Sequence, residues 1–316
     1  MDSLSDVLNN VSFRGSLYCQ AELSAPWGLK LEGCSGHAGF LMVVRGSCYM
    51  TVEGIAQPVV MGGGDVAVAA ANSACLLQDN LDSPFITMCE ASNYQRQQGK
   101  TIKFGGGGNT TTLLMGCFEL ESGSNNPLVK GLPPLIYLKA EDLQTEPWLE
   151  STIRFLAAES TQEKPGSEIV LNRLTDLLFV QIIRAHMKQV KDCPRSTGWL
   201  KALADAEIGK ALTLIHEKPE KPWTVASLAE EVGLSRTSFA VKFANLAGIP
   251  PLEYVTSWRM QKAKQLLKQN QSSIAEIGSA MGYSSEAAFA KAFKREIGTS
   301  PGQFRKQHGT EVAGVG

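Results

Sequence analysis

Two segments of this chain superimpose when the sequence is slid along itself by about 50 residues, and that internal repeat limits the fold more than any other feature. The first copy places apolar and small residues at Val225, Leu228, Ala229, Val232, Gly233 and Leu234, then Ser235, Phe239, Phe243, Gly248, Pro251 and Tyr254. The second places them at Ile274, Ile277, Gly278, Met281, Gly282 and Tyr283, then Ser284, Phe289, Phe293, Gly298, Pro301 and Phe304, with one extra residue before Phe289. Each copy spells a short helix, a turn at glycine and a second helix. Ala229 or Gly278 lets the two helices cross closely, Gly233 or Gly282 accepts a positive φ, and Ser235 or Ser284 caps the following helix. The two phenylalanines of each second helix stand four apart, so they face inward together and leave the opposite face free for a major groove. The apolar pattern from Leu252 to Leu267 predicts a helix joining the copies. Such a stiff spacer sets two recognition helices in successive major grooves, about 34 Å apart.

The charge distribution agrees with this. Residues 1–198 carry 15 Lys and Arg against 20 Asp and Glu, whereas residues 199–308 carry 15 against 10. The whole-chain balance of -1 hides an acidic front and a basic back, the asymmetry of a chain whose C-terminal part meets a polyanion.

Ahead of the repeat the pattern has period two. From Leu17 to about Phe118, short apolar or alternating runs such as 39–44, 48–52 and 65–69 are separated by breaks at Arg45-Gly46, Glu53-Gly54 and Gly62-Gly63-Gly64. That predicts a strand-rich sandwich or barrel. The stretch Gly105-Gly106-Gly107-Gly108-Asn109 lacks the strand-to-helix context of a phosphate loop and reads as a flexible surface turn. After Pro134 the period lengthens to that of a helix. Trp148, Ile153, Phe155 and Leu156 predict one helix; Ile169, Leu171, Leu174, Leu177, Leu178, Val180, Ile182 and Ile183 predict a longer one ending near Gln189, with Pro165-Gly166-Ser167 as the break between them. The apolar residues of the longer helix wrap around too much of its circumference for one neighbour, so the strands and a second subunit are its expected partners, in a homodimer. Cys193 to Gly198 reads as a linker, dividing a domain over 1–192 (strands about 17–118, helices about 140–190) from one over 199–308, with 309–316 as a flexible tail.

Several function classes find no support. No apolar run approaches the roughly 20 residues that cross a bilayer, and the acidic start Met1 to Asp6 lacks the pattern of a secretory signal, so a cytoplasmic protein without a membrane partner is expected. Seven cysteines with no CxxC pair fit neither a full disulfide framework nor a zinc-finger spacing. GxSxG, HExxH, P-loop and Rossmann fingerprints are all missing, so neither enzyme activity nor a cofactor is expected.

These residues resemble the AraC/XylS transcriptional regulators, and the resemblance runs along nearly the whole chain. The strings Gly198-Trp199-Leu200, Ile208 to Ala211, Ile215-His216, Pro222 to Val225, Trp258-Arg259-Met260 and Gly166 to Leu174 look like the subset with an N-terminal cupin-type sensor domain. The resemblance implies a cupin or jelly-roll-like β-barrel plus helices, followed by an all-α domain with two helix-turn-helix motifs. It also implies binding to double-stranded promoter DNA, usually with activation of transcription, work with RNA polymerase, and effector sensing or dimerisation by the front domain. Carried over by position, the DNA face of the first recognition helix is Arg236, Thr237, Ala240, Val241 and Lys242, and that of the second is Ser285, Glu286, Ala287, Ala290 and Lys291, with Lys294 and Arg295 nearby. Arg236 and Lys291 are the candidates for guanine edges, while Lys294, Arg295, Arg259 and Lys262 are expected at phosphates. Ala240 and Val241 leave methyl contact with thymine, or DNA shape, to supply specificity in the first helix.

The front half departs from catalytic cupins. His37 is the only histidine in the strand region, so a metal site with two histidines cannot be assembled and no metal is expected. Cys75 stands where the second cupin motif commonly has histidine. A metal-dependent cupin enzyme fused to a DNA-binding domain is the alternative reading. For the stimulus, two chemistries compete. An oxidant would act on thiols, with Cys19, Cys89 and Cys75 as candidates; a small apolar or aromatic effector would sit in the barrel, with Trp27, Phe40, Met42, Tyr49 and Met50 as its wall.

Overall fold

The computed structural model describes residues 3–10, 13–33, 36–98, 101–120, 132–143, 147–160, 164–191 and 198–308. The expected linker at 193–198, apart from Gly198, and the tail at 309–316 lie outside them. The chain separates into a strand-rich unit, holding Phe13–Ser122 and Leu132–Gln189, and a helical unit that takes in the chain from Val190 together with the N-terminal segment Met1–Ser12. That N-terminal segment was expected with the sensor domain. Its helix α1 (Ser3–Asn10) buries Leu4 and Val7 and has its helix contacts within the helical unit.

In the strand-rich unit eleven described strands form two sheets. They are β1 (Phe13–Ser24), β2 (Gly28–Leu31), β3 (His37–Arg45), β4 (Ser47–Val52), β5 (Val59–Gly62), β6 (Val66–Ala69), β7 (Cys75–Gln78), β8 (Ile86–Thr87), β9 (Thr101–Gly105), β10 (Thr110–Leu120) and β11 (Leu135–Leu138). One sheet runs β11-β6-β3-β10-β1-β9 and the other β5-β4-β7-β2-β8. Neighbours pair antiparallel except β1 with β9 and β2 with β8. The expected strands are present, but among the described residues the two sheets share no paired strand and do not close into a barrel. Between them lies a core rich in sulfur, where Cys19, Cys48, Met50, Met61, Cys75 and Met115 join Trp27, Leu29, Leu41, Val43 and Leu77.

The larger sheet is buried on its other face as well. Phe40 stacks on Phe118 at 4.9 Å, and Phe118 meets Phe179 at 4.6 Å. Phe179 belongs to the long helix α5 (Ser167–Lys191), which comes after α2 (Met88–Gln98), α3 (Ala140–Leu143) and α4 (Pro147–Ser160). Gly15 permits the close approach of α5 to β1. A Cβ there would stand 2.5 Å from Thr175 Cγ2, and the Gly15 amide donates to Asp176 Oδ1 at 2.7 Å. Asp65 ties the β5–β6 turn to β11 and to the start of α3, since its carboxylate accepts from the Gly62 amide, the Tyr137 hydroxyl and the Ala140 amide at 2.7–2.8 Å. The segment after β9 is not a loose turn. Gly106 and Gly108 donate to Ser24 O and Ala25 O, and a Cβ on Gly105 would collide with Ser24 O.

The expected effector wall does not exist as one surface. Successive residues of a strand point to opposite faces, so Trp27 and Met50 fill the inter-sheet core while Phe40, and Met42 two residues on, face away from it toward the α5 side. Tyr49 alternates with the buried Cys48 and Met50 and is half-buried on the outer face of β4. An open cleft of about 620 Å³ does occur at one end of the sandwich, but polar groups line it, among them Arg45, Ser47, Asp79, Asn109, Thr110 and Thr111.

Candidate nucleic-acid interface

The helical unit repeats one design twice. Helices α6 (Trp199–Ala204) and α7 (Ala206–Glu217) lead into α8 (Val225–Glu231) and α9 (Arg236–Ala247); α10 (Pro251–Gln269) then joins them to α11 (Ile274–Ala280), α12 (Glu286–Ile297) and the closing α13 (Pro301–His308). Thr224 and Ser273 each form a capping box at the start of α8 and α11. The chain then turns through Gly233 (φ 74°) and Gly282 (φ 78°), where Leu234 N donates to Ala229 O and Tyr283 N to Gly278 O. Gly278 is needed for closeness, because a Cβ there would lie 3.0 Å from Phe289 Cβ. Ser235 caps α9 through the Ser238 amide. The second recognition helix is capped by Ser285, through the Ala288 amide, and not by Ser284 as expected. The extra residue in the second turn moves the cap by one, which restores its four-residue distance to the first phenylalanine.

The phenylalanines do face inward. Phe239, Phe243, Phe289 and Phe293 are fully buried, with ring centroids 5.6 and 5.7 Å apart within the pairs. Helix α10 serves both motifs. Its Tyr254 meets Phe243 at 5.7 Å and receives a hydrogen bond from Trp199 Nε1, while Met260, Ala263 and Leu267 join Ile277, Met281, Phe289, Phe293 and Phe304 in the second core. His216 is buried against α10, stacked on Trp258 at 3.7 Å, with Nε2 2.8 Å from the Tyr254 hydroxyl.

Opposite the phenylalanines, Arg236, Thr237 and Val241 on α9 are exposed and Ala240 is half-buried; on α12 Glu286, Ala287 and Lys291 are exposed, Ala290 is half-buried, and Lys294 and Arg295 are exposed one turn further on. Arg295 pairs with Glu296 at 3.1 Å on the surface. Ser285 is exposed, but its hydroxyl is engaged as the cap. Asn245 continues the exposed Thr237–Val241 row four residues on, matching Arg295 in the second helix; extending the spacing by one turn would have found it.

Three expected DNA contacts are occupied within the protein. Lys242 pairs with Asp205 at 2.8 Å and Glu207 at 2.7 Å, which fastens α9 to the N-terminal end of α7. Partial burial works against its charge, but the two carboxylates outweigh that and hold its pKa above the ordinary lysine value. Arg259 donates from Nε to Pro219 O at 2.6 Å and from Nη2 to Lys221 O at 2.8 Å, so the expected phosphate contact gives way to a bond within the fold. Lys262 donates to His216 O in the last turn of α7 at 3.3 Å, where a cation offsets the helix dipole.

The candidate sensing residues also separate. Burial pushes the Cys19 thiol up to about 12 and the Cys75 thiol up to about 11, which suppresses the reactive thiolate. Cys89 is exposed in the first turn of α2. His37 and Cys75 stand in different sheets, and among the described residues no three or more His, Cys, Asp or Glu gather as a metal-ligand group.

Comparison with known proteins divides the chain in the same way behind α1, which the cupin match includes and the contacts place with the helical unit. Residues 2–188 match the family described as Cupin, and residues 228–307 match that described as Helix-turn-helix domain. The HTH-type transcriptional regulator AlkR of Acinetobacter baylyi is 30% identical over 313 residues, covering 97% of this chain and 100% of the relative. An AraC-like transcription regulator of Streptomyces lividans is 29% identical over 306 residues, covering 97% and 98%. The HTH-type transcriptional regulator MtrA of Neisseria gonorrhoeae is 28% identical over 309 residues, covering 98% and 99%. With a cupin segment in front and two helix-turn-helix motifs behind, the chain belongs to the AraC-type transcriptional regulators.

Proposed function

We propose that this chain regulates transcription in the cytoplasm by laying α9 and α12 into successive major grooves of promoter DNA, as a homodimer that works with RNA polymerase, and that its role is regulatory and not enzymatic. The observation that carries the reading is the pair of matched motifs, each with two buried phenylalanines on one face and an exposed row on the other. Arg236 and Lys291 read guanine edges, Thr237, Val241 and Ala287 supply methyl contact, and Lys294 meets a phosphate. Among the described residues no helix is long and apolar enough to cross a membrane. Dimerisation is supported by apolar side chains left open on two helices: Trp148 and Phe155 on α4, and Ile169, Val170 and Leu177 on α5. The full-length protein is expected to retard a promoter duplex with an affinity that falls steeply as salt rises. A salt-independent complex, or none with any genomic duplex, would defeat the proposal.

For the stimulus, the geometry favours an oxidant acting at Cys89, the exposed one of the three candidate thiols. Promoter output after hypochlorite treatment is expected to change in wild type and in Cys19→Ser, and to stay flat in Cys89→Ser. Equal responses in all three would remove thiol sensing at these positions.

A further inference from the structure

At the middle of the joining helix α10, the Arg259 side chain lies where both helix-turn-helix motifs come together. Its two bonds to Pro219 O and Lys221 O reach the loop ahead of α8, which belongs to the first motif. That loop is itself stiff. Lys221 N donates to Lys218 O, Trp223 Nε1 donates to Lys218 O, and the Lys221 ammonium sits 4.1 Å from the Trp223 ring centroid and 3.1 Å from Glu231 Oε1. The turn of the second motif approaches the same loop. A Cβ on Gly282 would collide with Glu220 O and lie 3.1 Å from Arg259 Nη2, and the guanidinium stands 5.9 Å from the Tyr283 ring centroid. Partial burial pulls the Arg259 pKa below the ordinary arginine value, in keeping with a half-buried group held in a seam.

We propose that Arg259 is a positioning residue that sets the angle and helical phase between the two recognition helices by clamping the 219–221 loop of the first motif against the Gly282–Tyr283 turn of the second. The hydrophobic packing of α10 holds each motif to the joining helix, but apolar contact is non-directional and tolerates rocking. A planar guanidinium with two donors aimed at two carbonyls, and its Cζ standing over a ring, fixes orientation as packing does not. The inference rests on the DNA-binding reading and concerns how that surface is arranged, not which bases it reads.

The test uses the full chain and a duplex of about four helical turns selected from a random library by wild type, with probes in which either half-site is scrambled or one base pair is inserted between half-sites. Arg259→Ala is expected to lose about tenfold to a hundredfold in affinity for the intact duplex, to keep wild-type affinity for single half-site probes, and to be less sensitive than wild type to the insertion. Arg259→Lys restores the charge without the two-pronged geometry and is expected not to rescue. The slope of log affinity against log salt is expected to stay at the wild-type value; a phosphate contact would instead reduce it by about 0.9. Equal losses on intact and half-site probes, a shallower salt slope, or full rescue by lysine would overturn the proposal. A wild-type chain that selects no duplex would sink the DNA-binding reading along with it, an outcome distinct from those three.

Discussion

Phe293→Ala is expected to unfold the second helix-turn-helix and remove DNA binding, while the melting of the strand-rich unit stays where it was. Phe293 is fully buried, with ring centroids 5.7 Å from Phe289 and 5.6 Å from Phe304, and it sits in one core with Met260, Leu267 and Ile277. Truncating a phenylalanine in such a site costs about 3–5 kcal/mol, from lost transfer energy and from the cavity left behind. Whole domains are stable by only about 5–15 kcal/mol, so one small motif cannot absorb that loss. Because α10 carries the cores of both motifs, the damage should also loosen the first. Calorimetry of the full-length variant beside wild type is the direct measurement. A helical-unit transition displaced by less than the equivalent of about 1 kcal/mol would show that the core has relaxed around the cavity, contrary to expectation.

Lys291→Ala and Lys294→Ala should weaken DNA binding in different ways. Lys291 lies on the exposed row of α12 opposite the buried Phe289 and Phe293, with Ala287 one turn before it and Arg295 one turn after. In the proposed binding mode a cation at that place reaches base edges, and each good pairing discriminates by about 1–3 kcal/mol, or roughly fivefold to 150-fold. Lys294 is in the last turn of the helix, where its charge suits a phosphate. Lys291→Ala should therefore lose affinity for the matched duplex and little for a scrambled one; Lys294→Ala should lose evenly on both. Identical losses by Lys291→Ala on matched and scrambled duplexes would take away its role as a reader of bases.

How much of this was legible in the sequence depended on how far apart the partners lie. The helix-turn-helix units were readable because capping serines, positive-φ glycines and paired phenylalanines act within one or two turns of chain. The second cap was misplaced by one residue for the same local reason: Ser284 and Ser285 are equivalent as caps, and only the distance to Phe289 chooses between them. The break before α5 was readable in Pro165-Gly166, and Gly166 does adopt a φ of 84°. Contacts between distant segments were not readable. Nothing near Arg259 in the sequence points to Pro219 or Lys221, 40 and 38 positions away, and nothing near Lys242 points to Asp205 or Glu207. Charged residues on the edge of a recognition helix look alike until their partners are in place. The effector wall failed for another reason. Phe40 and Met42 share one face of the larger sheet while Met50 lies in the inter-sheet core, a difference that residue type alone does not show.

The larger sheet is a party wall. On β3, Leu41 and Val43 belong to one room and Phe40 to the other, with a single backbone between them. Close-packed interiors do not give way on one side alone, so a larger residue at Leu41 pushes the strand toward Phe118 and Phe179, and space opened between the sheets lets it move back. The volume enclosed by the sheets and the seating of α5 are thus one mechanical variable, and anything that swells or shrinks that enclosure is reported on the helix side.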